Sequence, residues 1–398
     1  SIFAFASEMK AFISLDWFEV SFNPKMVAMS LSSSNNIEGT ENCLLKGVKR
    51  LLGGHCLTIN QDRKFVVKRW WNTLEHLETP PSAYEKQVEK FRDLFFDACL
   101  IRMRSDVPIG TSLSGGLDSS SVLCAMSHVW NKTGRKNRLA LDWQRAFIAA
   151  YPNTVQNEKE FAVDVVRHTG AVPVCIDIDW QKAIDFLEEI VFQFEEISGI
   201  HIGPWLVYRE MRRNGVIVTL DGHGGDELLA GYHNYPESLM HESLARFPNP
   251  VLFYKYRSLL KQMYPEGVSV HMPGLMEMSK LKLLENIRKF PLAYKTSHFL
   301  YHIFKENSQA GESEPKYARW LLVEPEKPRF RIMEEDARSL KEKDLLFNEL
   351  YYDFHCLNLP INLRDYDRLS MSHGVEVRAP FLDWRLVCYA FSLPSASK

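Results

Sequence analysis

Between Val107 and Leu220 the chain repeatedly exchanges short apolar runs for helix-length stretches, and few folds tolerate that order. Val107–Leu113, Arg145–Ala150, Val172–Ile176 and Val216–Leu220 read as strands. Helical patterns separate them: a stretch ending near Trp130, Glu158–His168, Gln181–Phe194, and another around Trp205–Arg213. A strand that returns through a helix must come back parallel to its predecessor, and the helices then cover the sheet faces. The expected class is therefore α/β, a parallel sheet with helices on both faces.

The flanks read differently. Residues 1 to about 78 look β-rich, with Ile2-Phe3-Ala4-Phe5 as one strand. Gly53–Ile59 and Phe65–Val67 read as the arms of a hairpin turning at Asn60-Gln61-Asp62. Thr79-Pro80-Pro81 breaks the pattern, and from Ser82 the spacing of Tyr84, Val88, Phe91, Phe95 and Ala98 predicts an amphipathic helix to about Met103. Ser82 with Glu85 is a capping-box pattern for its start. Beyond Tyr235 the chain reads as mostly helical, and residues about 236 to 345 carry no chemical motif. A first residue that is Ser1, already inside a strand-like run, reads as a piece of something longer.

Charge narrows the function classes. Lys plus Arg number 48 against 50 for Asp plus Glu, a net charge of −2 in 398 residues. Neither a general nucleic-acid binder nor a membrane-surface protein is expected from that balance. No apolar run is long enough to span a bilayer, and no signal segment opens the chain. The 7 cysteines lie far apart with no C-x-x-C pair, which fits a reduced, cytoplasmic setting.

The densest chemical signal is Leu113-Ser114-Gly115-Gly116-Leu117-Asp118-Ser119-Ser120-Ser121, lying between a buried strand and a helix. Glycines let the backbone approach an anion, helix N–H groups face it, and serine hydroxyls add donors. An ordinary helix cap needs one such residue and not this run. Asp118 in an anion nest repels phosphate unless a cation lies between, so Mg²⁺ with a polyphosphate is the expected pairing. No G-x-x-x-x-G-K-[ST] occurs, so this is not a Walker loop. A second glycine-rich turn, Asp221-Gly222-His223-Gly224-Gly225-Asp226-Glu227, also joins a strand to a helix. Two such loops at the carboxyl ends of parallel strands can face one crevice, with Asp226 a second carboxylate for the same metal. A third segment, Asp365 to Asp383, is polar and charged: Arg368 can serve a phosphate, and Glu376 with Arg378 suggests a structural ion pair.

Ser114-Gly115-Gly116-Leu117-Asp118-Ser119-Ser120 resembles the pyrophosphate loop of the N-type ATP pyrophosphatases. Together with Asp221–Glu227 and Asp367–Asp383 in matching order, it resembles the synthetase domain of the glutamine-dependent asparagine synthetases over roughly residues 80 to 398. Phe5-Ala6-Ser7-Glu8-Met9-Lys10-Ala11 and Arg69-Trp70-Trp71 resemble the last part of that family's glutaminase domain. The resemblance implies a glutaminase remnant at 1–78 and an ATP-binding synthetase domain at 79–398.

It also implies a two-step ligase. ATP adenylylates a carboxylate and releases pyrophosphate; a nitrogen then displaces AMP to leave an amide. By the same resemblance Leu113 and Ala149 hold the base, with Asp221 and Gly222 beside the adenosine. Ser114, Gly115, Gly116, Ser119 and Ser120 cradle pyrophosphate, Asp118 and Asp226 hold Mg²⁺, and His223 and Arg368 act in catalysis. Glu195, Glu196 and Glu227 are candidates near the acceptor. Ammonia comes from glutamine in the full-length protein, no nucleic acid or membrane takes part, and a homodimer is among the expected states.

Three departures stand out. His223 occupies a position where the family usually has a carboxylate, and Arg368 one where it often has Lys. The cysteine nucleophile and glutamine-binding segments belong upstream of Ser1. His223 suits deprotonation of an amine near neutral pH, or else packs and hydrogen-bonds within its turn. The acceptor stays open among aspartate, a sugar acid and a peptide closing a lactam. A nucleotide-binding module without chemistry sits poorly with the intact Asp118 and Asp226. A nucleic-acid-modifying relative of the loop is disfavoured by the neutral charge.

Overall fold

The computed structural model describes residues 2–32, 37–62, 64–133, 139–152, 154, 157–179, 184–197, 201–232, 235–236, 239, 255–256, 258 and 328–398. In chain order its elements are α1 (Lys10–Ile13), α2 (Pro24–Ser32), β1 (His55–Ile59), β2 (Phe65–Arg69), α3 (Tyr84–Arg102), β3 (Ile109–Ser112), α4 (Leu117–Thr133), β4 (Arg145–Ala150) and α5 (Lys159–Thr169). There follow β5 (Val172–Asp177), α6 (Leu187–Phe194), α7 (Ile202–Arg213), β6 (Val218–Leu220), α8 (Gly225–Leu229), α9 (Arg331–Leu340), α10 (Leu345–His355), α11 (Asn358–Met371), β7 (Glu376–Arg378) and α12 (Trp384–Ser392). Two compact units are distinguished: Ser1–Ala230 with Glu324–Glu342 and Leu350–Lys398, and Gly231–Val323 with Lys343–Glu349. Both glycine-rich loops lie in the first. In the second, the Phe347 N–H bonds the Asp344 carboxylate at 2.8 Å. Most of the region expected to be helical beyond Tyr235 lies outside the described residues. No described helix is long and apolar enough to cross a membrane.

The sheet is parallel throughout, in the order β5-β4-β3-β6-β7. Burial explains who sits where. β3, β4 and β6 are almost continuously buried, as strands covered on both faces must be, whereas β5 and β7 carry exposed residues at the two edges. The chain leaves β3 outward to β4 and β5, then returns to pair β6 on the other side of β3, with Ile109 opposite Val218. The chain therefore leaves β3 and β6 toward opposite sides of the sheet, the kind of switch point at whose carboxyl ends ligands bind in such folds. α4 packs with α3 and α5, while α11 packs with α6 and α7. Phe147, Ile190, Phe194, Trp205, Met211 and Leu369 join in one buried apolar cluster.

Four expectations change. Ile2, Phe3 and Phe5 belong to no strand and are exposed; among the described residues no strand offers them a ladder. The hairpin is present as β1 and β2, but α1 and α2 accompany it. The capping box at Ser82 does not form: Ala83 is the N-cap with no side-chain bond, and Gln87 reaches back to the Pro81 carbonyl at 2.6 Å. Glu376–Arg378, expected only as part of a polar, charged segment, is the edge strand β7. Its expected ion pair is there at 2.6 Å, and Arg378 also bonds the Arg102 and Arg104 carbonyls at 2.8 Å.

Candidate active site

The first loop leaves the sheet at Leu113, whose N–H bonds the Phe147 carbonyl at 2.9 Å. That bond extends the β3–β4 pairing by one residue, so buried Leu113 sits beside the end of β4, where Ala149 is half-buried. Gly115 then turns with φ +96°, and a Cβ there would come 2.9 Å from both the Ala162 nitrogen and the Glu158 carbonyl oxygen. Only glycine meets both demands. Serine hydroxyls close the turn on itself. The Ser114 and Ser119 hydroxyls are 2.9 Å apart, the Gly116 N–H donates to Ser114 Oγ at 3.1 Å, and the Ser114 N–H to Ser119 Oγ at 3.2 Å. Ser120 Oγ is buried and has no partner, an unspent donor at the first turn of α4.

The second loop packs directly on the first. A Cβ on Gly222 would lie 2.7 Å from the Ser119 nitrogen, and one on Gly225 would fall inside the Asp118 carboxylate. This closeness brings the two acids together. Burial first, then the charge of Asp226, pushes the Asp118 carboxyl up to about 7, although the Asp226 backbone N–H donates to it. Burial also raises the Asp226 carboxyl. Among the described residues no group of three or more His, Cys, Asp or Glu gathers at metal-binding distance. A two-carboxylate set fits Mg²⁺, which keeps waters and completes its shell with phosphate oxygens, and it does not fit zinc or calcium. Glu227 is buried and accepts from the Asn362 amide at 3.2 Å.

Asp221 is the best-held acid in the site. Its Oδ1 accepts from Thr219 Oγ1 at 2.6 Å and from the Ser112 N–H at 3.2 Å, and its Oδ2 from Tyr208 Oη at 2.8 Å. His223 Nε2 lies 3.8 Å from Oδ2, too far for a hydrogen bond, and is buried without a partner. Its ring packs against Tyr366 of α11 with centroids 4.3 Å apart. Burial lowers the imidazole pKa and outweighs the opposing charge of Asp221. Tyr208, Thr219 and Tyr366 were not legible as site residues, since each sits in an otherwise ordinary core pattern.

Arg368, Glu195 and Glu196 gather elsewhere. The Arg368 guanidinium donates to the Phe194 carbonyl and lies 3.4 Å from Glu195. Glu195, at φ +61°, accepts the Met9 and Lys10 N–H groups, both at 2.8 Å, and pairs with Lys10 Nζ at 3.2 Å. Glu196 is 3.4 Å from Arg50, which also holds Glu38 at 3.0 Å; Glu38 in turn takes Arg364 at 2.9 Å. These charges tie residues 8–50 to α6 and α11. All of these contacts are between protein groups.

A family model described as asparagine synthase matches residues 90–398. The chain is 24% identical over 356 residues to asparagine synthetase (glutamine-hydrolyzing) 1 of Bacillus subtilis, covering 88% of this chain and 50% of that one. It is 26% identical over 356 residues to a putative asparagine synthetase (glutamine-hydrolyzing) 2 of Methanocaldococcus jannaschii, with coverages of 88% and 64%. It is 25% identical over 377 residues to the amidase chyE of Penicillium rubens, with coverages of 89% and 53%. The chain spans between 50% and 64% of the length of these relatives. The matched span takes in both glycine-rich loops, Asp118, Asp226, α11 and β7, and the chain belongs to the asparagine synthase family.

Proposed function

We propose that this chain carries the ATP-dependent half of an amide-forming ligase: a carboxylate is adenylylated with release of pyrophosphate, and ammonia or an amine then displaces AMP. One observation carries the reading. At the β3/β6 switch point Gly222 and Gly225 pack on Ser119 and Asp118, so two acids and a serine-rich helix start converge on one point. Serine hydroxyls, backbone N–H groups and paired carboxylates suit a leaving pyrophosphate, whose developing charge fixed donors stabilise without reorganising.

In this reading Leu113 and Ala149 flank the base, the Gly222 backbone meets the adenosine, and Ser114, Gly116, Ser119 and Ser120 hold pyrophosphate. Asp118 and Asp226 would hold Mg²⁺, which when bound offsets the negative charge between the acids and the phosphates. His223 takes the proton that the attacking nitrogen must lose. Arg368 is a positioning residue for α6 and α11 through Phe194 and Glu195. Residues 79–398 make up the synthetase part and 1–78 the end of a glutaminase-like part, glutamine supplying the ammonia in a longer protein.

ATP–pyrophosphate exchange tests the first step. Purified chain is offered aspartate, a sugar acid or a peptide with a free carboxyl, each with Mg²⁺ and ATP. Exchange that depends on one of these acids and is lost in Asp118→Asn is the expected result. Exchange in Asp118→Asn within tenfold of wild type, about 1.4 kcal/mol of barrier, would remove that residue from the site.

A further inference from the structure

A carboxylate offers about four lone-pair sites, and Asp221 has three of them occupied. Thr219 and Ser112 fill Oδ1, while Tyr208 takes one site on Oδ2. The remaining site lies on the oxygen 3.8 Å from His223 Nε2, and that nitrogen is itself buried with nothing to bond. An open acceptor and an unsatisfied nitrogen thus face each other across a gap about 0.8 Å longer than an ordinary N–H···O bond.

The surroundings hold Asp221 by hydrogen bonds and the imidazole by ring packing. Asp221 is 3% exposed and anchored from β3, β6 and α7 at once. The His223 side chain is 16% exposed and touches Tyr366 by ring contact alone. The groups facing it are Asp221 from its own turn and Tyr366 from α11; Tyr366 in turn feels Asp221, Tyr151 and Asp365. Among the described residues Asp221 is the one charged group acting on the imidazole.

We infer that Asp221 is the positioning residue for His223: it sets the tautomer with the proton on Nε2, and it stabilises the imidazolium formed during amide synthesis. The inference rests on His223 being the base proposed above. In the step concerned, the nitrogen lone pair forms the new bond to the acyl carbon while a nitrogen-bound proton passes to Nδ1. The acyl carbon–oxygen bond then breaks, and AMP leaves with its electron pair. The ring, now positive, moves toward Oδ2 and closes the gap. A fixed carboxylate behind an imidazole performs this task in acyl-transfer triads, and here Tyr208 and Thr219 are its holders.

The test is an NMR titration of the His223 imidazole in the full chain carrying labelled histidine, with His223→Gln identifying the signal. Asp221→Asn keeps the shape and removes the charge, and should lower the midpoint by about one pH unit or more. Tyr208→Phe removes a donor that partly neutralises Oδ2, and should move the midpoint up. Opposite displacements support the dyad, because general damage to the fold would move both variants the same way. An unchanged midpoint in Asp221→Asn, or equal shifts in both variants, overturns it. The low-pH limb of amide formation is followed alongside. If that limb ignores a displaced midpoint, the Asp221–His223 coupling stands, while the assignment of His223 as base and the imidazolium role of Asp221 fall.

Discussion

Gly225 and Asp118 approach so closely that no side chain fits between them. They are far apart in the chain, one after β6 and the other at the start of α4, so the contact measures how tightly the two loops close. Gly225→Ala should separate them by pushing on the Asp118 carboxylate. Adenylation should fall about 100-fold, the scale of a misplacement near 1 Å. Gly53→Ala, where a Cβ meets nothing within 4 Å, is the control that should leave ATP–pyrophosphate exchange unchanged.

Acidity gives a second prediction. The Asp118 carboxyl ordinarily titrates at 3.8 and in the fold at about 7, so folding opposes its ionisation. Its contribution is fully present below pH 3.8 and is lost as pH rises through about 7. Without metal, Asp118→Asn should therefore gain thermal stability over wild type as pH rises above 3.8, most fully above about 7, on the order of 1 kcal/mol after solvent screening. Mg²⁺ should raise the wild-type Tm at pH 8 and not at pH 4. No rise at pH 8 would remove the two acids as the ion's seat.

Asp336 predicts a structural cost. It takes both Arg69 nitrogens at 2.9 Å, the Asn72 amide at 3.0 Å and Tyr351 Oη at 2.7 Å, and it is 4% exposed. Asp336→Ala leaves Arg69 with Glu335 at 3.3 Å and the Trp71 carbonyl at 3.0 Å and takes the acceptor from Tyr351 Oη and the Asn72 amide, which should cost roughly 1–3 kcal/mol in urea unfolding. A loss under about 1 kcal/mol would mean that Arg69 finds water instead.

Glu195 predicts a local release. Glu195→Gly keeps the left-handed backbone and removes the acceptor of the Met9 and Lys10 N–H groups. Hydrogen exchange should speed at those two amides while the β3–β4 amides stay protected. Uniform acceleration across the sheet would show that Glu195 supports the whole fold instead.

Local chemistry in the sequence determined the α/β class, the four consecutive strands from Ile109 to Leu220, and both glycine-rich loops. Apolar period and turn glycines act over a few residues, so the order of residues records them. Asp118 and Asp226 were legible for the same reason: an acid within a glycine-rich anion turn is conspicuous wherever it stands. Tertiary structure alone decided the rest. β7 is three residues long and polar, and it is a strand because β6 offers it a ladder. Tyr366 looks like any helical aromatic until α11 lays it on His223. Arg368 and Glu195 lie far apart in the chain, and only the fold brings them to one another and to Lys10. A buried charge takes the nearest opposite charge or N–H group that packing delivers. Those partners come from segments more than a hundred residues away, 174 between Arg368 and Phe194 and 185 between Lys10 and Glu195, where no local pattern carries the information.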